Sequence, residues 1–190
     1  MATRRVRLLL ATSNPHKVEE LRRALPELEI DAFVPPGMPA EDGETYLDNA
    51  RIKARHARAQ APVDAWVAGE DSGIEAAALD GRPGIASARW AADGVSALLA
   101  ALDGVADRRV RYVCEIVAIS PEGTELRGTG TLEGVAADAP RGTEGFGYDP
   151  IVVPLGETRT VAELGEVWKS EHSHRALAAR ALANQLTRAR

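Results

Sequence analysis

Ala65-Trp66-Val67-Ala68-Gly69-Glu70-Asp71-Ser72-Gly73 joins an apolar run to two adjacent carboxylates and a hydroxyl, held between glycines. The run 65–68 predicts a buried strand, and 69–73 predicts the loop that follows it. A strand that ends in an acidic loop places oxygen ligands at the carboxyl edge of a sheet, where open α/β folds bind ligands. The stretch therefore predicts an α/β fold with a ligand site at 69–73.

The composition is that of an ordinary globular protein. The chain has 190 residues, of which 45% are hydrophobic and 27% charged, and this excludes the collagen-like, disordered and disulfide-framework classes. We expect a single domain over 1–190, which at this length buries ~70% of the surface of its unfolded chain. Cys114 is the one cysteine and lies in an apolar run, which indicates a buried thiol in a reducing compartment.

Charge and hydropathy limit the location and the partners. The basic start Met1–Arg5 precedes an apolar run too short for a secretion signal, and no segment approaches the ~20 apolar residues of a membrane span. We therefore expect a cytoplasmic protein that does not bind membranes. A net charge of −5 argues against a broad basic surface for nucleic acid, but it allows a small basic pocket for a phosphorylated metabolite.

Strand and helix patterns alternate along the chain. A strand at 6–11 is followed by Asn14-Pro15, a cap and a proline typical of a helix start, and Val18, Leu21 and Leu25 then mark one helical face. The other predicted elements are a strand at 30–34, a helix at 45–61, a strand or short helix at 74–79, a short helix at 96–102, paired strands at 109–119 and 125–134, a strand at 151–153 and a helix opening at 173–175. In the helix at 45–61, Tyr46, Asn49, Lys53 and His56 share a face, so these polar groups can converge on one ligand.

The first candidate site is the start of the first helix. Its residues combine hydroxyls, an amide, free backbone N–H groups and a lysine in the first turn, where a cation is unfavourable for the helix dipole. This pattern predicts an anion site; the alternative is a plain helix cap with a solvated lysine. The candidate residues are Thr12, Ser13, Asn14, Pro15, His16 and Lys17.

The second candidate is a carboxylate set formed by Glu41, Glu70 and Asp71. Oxygen ligands without histidine or cysteine suit Mg²⁺, which takes one or two carboxylates and completes its shell with water and substrate phosphates. The alternative is a set of solvated loop acids with a salt bridge to Lys53.

The third candidate is a glycine-rich turn with two of the chain's few aromatic residues. Here a ring can stack on a base while a carboxylate and an arginine read its edge. The alternative is a strand-entry turn with a core phenylalanine and a helix capped by Ser173, in which His174 is structural. The candidate residues are Phe146, Gly147, Tyr148, Asp149, Lys169, His174 and Arg175.

Together these signals supply a triphosphate anchor, a metal site and a base pocket, and their order along nearly the whole chain resembles the inosine triphosphate pyrophosphatase family, the house-cleaning enzymes for dITP and XTP. The matching blocks are Ala11-Thr12-Ser13-Asn14 with Lys17, Asp48-Asn49-Ala50 with Lys53-Ala54, Glu70-Asp71-Ser72-Gly73, Pro83-Gly84-Ile85 with Ser87-Ala88-Arg89, Phe146-Gly147-Tyr148-Asp149-Pro150 and Ser173-His174-Arg175.

The resemblance implies a mixed, twisted α/β sheet with flanking helices, two lobes around a central cleft, and assembly as a homodimer. It implies Mg²⁺-dependent hydrolysis of non-standard purine nucleoside triphosphates (dITP, ITP, XTP) to the monophosphate and pyrophosphate. Two further readings stay open: a pyrophosphatase for another modified nucleotide, and a catalytically silent nucleotide-binding regulator.

The resemblance also implies residue roles. Glu41 and Asp71 hold the metal. Beyond the resemblance, our hypothesis is that Glu70 is a further ligand and that Asp71 activates or orients the attacking water. The phosphates lie near 12–17, Lys53 and Ser72, and the purine lies near 146–149, Lys169, His174 and Arg175. This chain departs from the family at Glu70, since the family usually has two aspartates, and at 165–168, which replaces the usual acidic approach to Lys169.

Overall fold

The computed structural model describes residues 6–188, so the predicted basic start Met1–Arg5 lies outside the described residues. Its centre is one mixed six-stranded sheet with helices on both faces, which confirms the predicted fold class. The strands are β1 (Arg7–Ala11), β2 (Glu29–Phe33), β3 (Trp66–Ala76), β4 (Arg109–Ile119), β5 (Glu125–Ala136) and β6 (Val152–Pro154). The helices are α1 (Pro15–Ala24), α2 (Tyr46–Arg58), α3 (Gly94–Ala101), α4 (Val161–His172) and α5 (His174–Arg188), with short 3-10 turns at Ala77–Leu79, Gly84–Ala86 and Asp149–Ile151.

The sheet has the order β2-β1-β3-β4-β5-β6 and changes character at β3. β1 runs parallel to β2 and β3, whereas β3, β4, β5 and β6 are successively antiparallel. β4 and β5 pair from Arg109↔Val135 to Ile119↔Glu125, which confirms the predicted hairpin.

The prediction of a loop at 69–73 is wrong, because β3 continues through these residues as one strand of 11 residues. Its glycines do not form a turn; they allow other backbone segments to lie close to the strand. A side chain at Gly69 would overlap the carbonyl oxygen of Ala50 in α2, and one at Gly73 would overlap that of Gly84. β1 pairs with β3 only as far as Leu10↔Ala68, so 69–73 does extend past the carboxyl end of β1, the edge at which a ligand site is expected.

Three helices differ from the sequence-based prediction. α3 spans Gly94–Ala101 rather than 96–102. α2 begins after the cap Thr45, as predicted, but ends at Arg58 rather than at 61. α4 has no counterpart in the sequence-based prediction, although Thr160 and Glu163 form a capping box at its start. Gly165 interrupts this helix with a φ of 81°, and the interruption breaks the apolar spacing that would mark a continuous helix.

The core lies in three clusters. We call the two clusters on opposite faces of the sheet around β1 the first lobe, and the cluster around Ile74 and Leu98 the second lobe. Alternate residues of β1 face opposite sides of the sheet, so Leu8 and Leu10 pack with α1 and α5, while Leu9 packs with α2. The third cluster joins the far ends of β3 and β4 to α3, around Ile74 and Leu98. None of the helices within residues 6–188 has the length and apolar character needed to cross a bilayer.

Candidate active site

Glu70 and Asp71 lie on opposite faces of β3. Both are buried, with 2% and 5% of their surface exposed. Successive side chains of a strand alternate between its faces, so Glu70 turns toward α1 and α5, while Asp71 turns toward α2. The adjacent acids therefore belong to two different sets of contacts.

Asp71 is held by two side chains of α2. Asn49 Nδ2 donates a hydrogen bond of 3.0 Å to Asp71 Oδ2, and Lys53 Nζ lies 3.5 Å from Asp71 Oδ1. Burial raises the pKa of Asp71, and the nearby charges of Glu70 and Glu41 add to this effect, while Lys53 and the hydrogen bond from Asn49 oppose it. The result is a carboxylate with raised basicity in a fixed orientation.

The polar face predicted for α2 converges only in part. Asn49 and Lys53 meet Asp71, but Tyr46 is buried against Gly73 and His56 Nε2 lies 3.0 Å from the carbonyl oxygen of Pro36. Burial raises the pKa of Tyr46, and the charges of Glu75 and Asp71 add to this effect, so Tyr46 lies near Asp71. His56 contacts Pro36 instead.

Glu41 and Asp71 approach one point from two segments. Lys53 Nζ donates to Glu41 Oε1 at 3.1 Å and also pairs with Asp71, so the two carboxylates flank one ammonium group. Residues 6–188 contain no cluster of three or more metal-ligating side chains. Mg²⁺ nevertheless needs only one or two protein carboxylates when water and phosphates complete its shell, so the donor set of Glu41 and Asp71 fits this ion. The predicted salt bridge to Lys53 is present as well.

The opposite face of β3 carries a buried row of alternating charges. Lys17 Nζ lies 2.5 Å from Glu70 Oε2, and Arg175 Nε donates to Glu70 Oε1 at 3.1 Å. Burial alone would raise the pKa of Glu70, but the charges of Lys17, Arg175 and Lys53 outweigh burial and hold this pKa well below its usual range. Glu70 is thus an ionised carboxylate with cations on both oxygens, and its contacts do not favour the metal role predicted for it.

The row continues through Glu20, which pairs with both Arg175 and Lys169. Lys169 also donates to Asp149 Oδ2 at 2.7 Å. Cations and anions alternate in equal number along Lys17, Glu70, Arg175, Glu20, Lys169 and Asp149. Buried charges of this kind remain ionised only because each has a partner.

A cavity of about 420 Å³ opens beside this row, between the two lobes. Four rings contribute to its wall, those of Tyr112, Phe146, Tyr148 and His174. Tyr112 stacks on His174 with ring centroids 4.5 Å apart, and the Phe146 ring lies 5.0 Å from Lys169 Nζ and stacks on His16. The lining also includes Asn14, Lys17, Glu20, Ser72, Gly147, Asp149 and Arg175.

His174 is neutral in this wall. Burial, with the charge of Arg175, lowers its pKa to about 3. Its Nδ1 atom is buried and has no hydrogen-bond partner among the described residues. The predicted structural histidine is therefore also a cavity residue with a free polar atom.

The predicted residues at the start of α1 form a helix cap. Asn14 is the N-cap of α1 and accepts from His16 N at 3.0 Å, and Thr12 Oγ1 accepts from Asn14 N at 3.1 Å. Ser13 and Pro15 are exposed. The cap is therefore present, but Lys17 is paired with Glu70 rather than solvated.

Three further predicted residues make hydrogen bonds through their hydroxyl groups. Ser72 Oγ accepts from Arg175 Nη2 at 2.8 Å, and Tyr148 donates to the carbonyl oxygen of Ser87 at 3.1 Å. Ser173 caps α5, as its alternative reading predicts, since its hydroxyl accepts from Ala176 N.

Glu20 is the site residue that the sequence interpretation missed. It lies one turn after Lys17 on α1, with 7% of its surface exposed, whereas its neighbour Glu19 is exposed. The spacing of three from Lys17 was the available signal, because residues three apart share a helical face.

Comparisons with known proteins identify the family and the fold of the chain. The model of the Ham1 family matches residues 8–185. The dITP/XTP pyrophosphatase of Symbiobacterium thermophilum is 47% identical, over 96% of this chain and 94% of the relative, and that of Streptomyces coelicolor is 44% identical, over 93% and 94%. Among solved structures, the Ham1 protein of Staphylococcus aureus has a TM-score of 0.84 at 32% identity, covering 97% of this chain and 100% of its own. A HAM1 protein from Coxiella burnetii has a TM-score of 0.82 at 35% identity, covering 96% and 99%.

Proposed function

Because this chain belongs to the Ham1 family, we propose that it hydrolyses non-standard purine nucleoside triphosphates such as dITP, ITP and XTP to the monophosphate and pyrophosphate. The observation that carries the proposal is the cavity between the lobes. Its ring-lined wall suits a purine, and Lys17 at its edge suits phosphates. The second lysine, Lys53, lies with Asp71 on the other face of β3.

Base recognition rests on Arg175. Its N–H groups already donate to Glu70, Glu20 and Ser72, and a guanidinium has five N–H donors, so donors remain for a ligand. Inosine and xanthosine present a carbonyl acceptor at the six position of the purine. Adenine presents an amino donor there, which would leave the N–H donors of Arg175 unpaired and disfavour ATP.

Hydrolysis rests on Asp71. We assign the metal to Glu41 and Asp71, where bound Mg²⁺ would neutralise phosphate charge. Asp71 accepts the proton of the attacking water. Asn49 fixes one oxygen of Asp71, while Lys17 and Lys53 stabilise the charge of the departing pyrophosphate.

The test is pyrophosphate release from ITP, dITP, XTP, GTP and ATP, each measured with Mg²⁺ and with a chelator. We expect rapid release from the first three nucleotides, and only with Mg²⁺. Equal rates with ATP would contradict the base assignment, and activity that survives chelation would contradict the metal. Binding of ITP without any release would favour the silent regulator.

We propose a homodimer because of the family resemblance, and a cytoplasmic location because the one cysteine, Cys114, is a buried free thiol of the kind that suits a reducing compartment. Light scattering of the purified chain tests the first, and a mass equal to one chain at micromolar concentration would contradict it. Cell fractionation tests the second.

A further inference from the structure

Glu70 lies behind the cavity and contacts it only through other residues. Its side chain is fully buried, with 0% exposed, whereas Lys17 and Arg175 both line the cavity. One carboxylate oxygen faces Lys17 Nζ at 2.5 Å, and the other accepts from Arg175 Nε at 3.1 Å. The thiol of Cys114 also donates to this second oxygen, at 3.4 Å. A single carboxylate thus spans a phosphate-binding cation and a base-reading cation.

We propose that Glu70 is a positioning residue that couples the phosphate side of the cavity to its base side through its ion pairs with Lys17 and Arg175. The inference rests on the proposed function, which assigns phosphates to Lys17 and the purine to Arg175. It gives Glu70 a role distinct from metal binding.

The coupling follows from competition for Lys17. A bound phosphate and Glu70 are both anions facing one ammonium group, so the phosphate draws Lys17 away from Glu70. Arg175 then becomes the principal countercharge of Glu70, and their ion pair tightens. An arginine fixed in this way loses less side-chain freedom when the purine arrives, so the purine binds more tightly.

Reach matters as well as charge. Glu70 spans both cations because its carboxylate stands two methylenes from the backbone of β3. An aspartate at this position keeps the charge but is one methylene shorter, so it contacts one cation at the expense of the other. Charge and reach can therefore be separated by two substitutions.

The experiment measures the coupling directly, by calorimetric titration of inosine with and without saturating pyrophosphate at a fixed Mg²⁺ concentration. For the natural chain we expect pyrophosphate to tighten inosine binding about fivefold or more, and inosine to tighten pyrophosphate binding by the same factor. In Glu70→Gln and in Glu70→Asp we expect this factor to fall to about one, although each ligand still binds alone.

Glu115→Gln is the matched control. Glu115 is a buried acid of the neighbouring strand β4. Its Oε1 atom lies 2.7 Å from Nη2 of Arg127 on β5, and Arg127 does not line the cavity. This control removes the ion pair between a buried carboxylate and a half-exposed arginine, so we expect it to lower stability but to keep the coupling factor. Thermal unfolding monitors folding of all variants, and the aspartate variant decides if the glutamine variant does not fold.

Three outcomes overturn the inference. Independent binding of the two ligands to the natural chain removes the coupling but leaves the proposed function standing. If the coupling factor is unchanged in the Glu70 variants, the coupling depends on other residues. Failure of inosine to bind removes the proposed base site, and this inference with it.

Discussion

At the residue scale, two adjacent acids have different contacts and opposite pKa shifts. Asp71 is paired with α2 side chains and has a raised pKa, while Glu70 is paired with Lys17 and Arg175 and has a lowered one. The sequence predicted both acids as site residues from their type and neighbours. It could not predict their division, because 69–73 was interpreted as a loop and the alternation of a strand did not enter the argument.

Asp71→Asn tests the catalytic assignment. Asparagine keeps an oxygen for the Asn49 hydrogen bond but cannot take a proton, so we expect kcat to fall ~10²- to 10⁴-fold. Steady-state kinetics with ITP measures the loss, and calorimetry with inosine monophosphate should show that nucleotide binding survives. A variant that retains most of its activity would remove Asp71 from its role.

His174 should make stability depend on pH. Its pKa is about 3 in the folded chain, against an ordinary value of about 6.5, so the unfolded chain binds the proton first as the pH falls. The stability from burying the neutral ring is complete above pH ~6.5 and declines toward pH ~3. His174→Phe keeps a ring against Tyr112 without a titrating group, so its unfolding free energy should fall less steeply with acid. Denaturant titrations across the pH range measure this free energy, and an equal pH dependence in both proteins would contradict the prediction.

The element scale shows how glycines set the distance between helices and sheet. Gly69 lets the backbone of α2 approach β3, and Gly128 and Gly130 let α5 approach β5 on the opposite face. Strands, hairpin and caps were predictable because their signals are local. These close approaches were not, because a glycine in a sequence indicates a turn as readily as a contact with a distant backbone.

Gly69→Ala tests the approach of α2. The added methyl overlaps Ala50, so α2 must move and carry Asn49 and Lys53 away from Asp71. Overpacking of this kind typically costs about 1–3 kcal/mol. Gly128→Ala is the control, because it overlaps Ala178 of α5 in the same way. We expect both variants to lose stability in thermal unfolding, but only Gly69→Ala to need more Mg²⁺ for half-maximal activity; equal Mg²⁺ requirements would refute the link.

At the scale of the whole molecule, the cavity is a property of two lobes rather than of one motif. Its wall takes Lys17 from the first lobe, Val95 from the second, and Phe146 from the turn between them. The family resemblance predicted this cleft. The single motifs did not predict it. The ion pair between Lys169 and Glu20 depends on helix α4, which the sequence pattern did not predict, and on the register of the sheet.

A ligand that bridges the lobes should stabilise the whole fold. Inosine monophosphate at about 100 times its dissociation constant should raise the unfolding free energy by about 2.7 kcal/mol. Adenosine monophosphate at the same concentration should raise it less, since Arg175 lacks an acceptor at the six position. Thermal unfolding with each nucleotide measures the difference, and equal shifts would contradict discrimination at the base.

The placement of Glu70 and Asp71 on opposite faces of β3 has a consequence for how this enzyme can change. In the proposed function α5 supplies Arg175 for the nucleobase, and α2 supplies Asn49 and Lys53 beside Asp71, with only the thickness of one strand between the two helices. A library restricted to the α5 side should therefore yield variants that accept other damaged bases and still cleave what they bind. Because the side chains of Glu70 and Asp71 lie on opposite faces of β3, the residues around one can change while the residues around the other stay the same. We therefore expect that the base specificity can change without a change in the residues around Asp71.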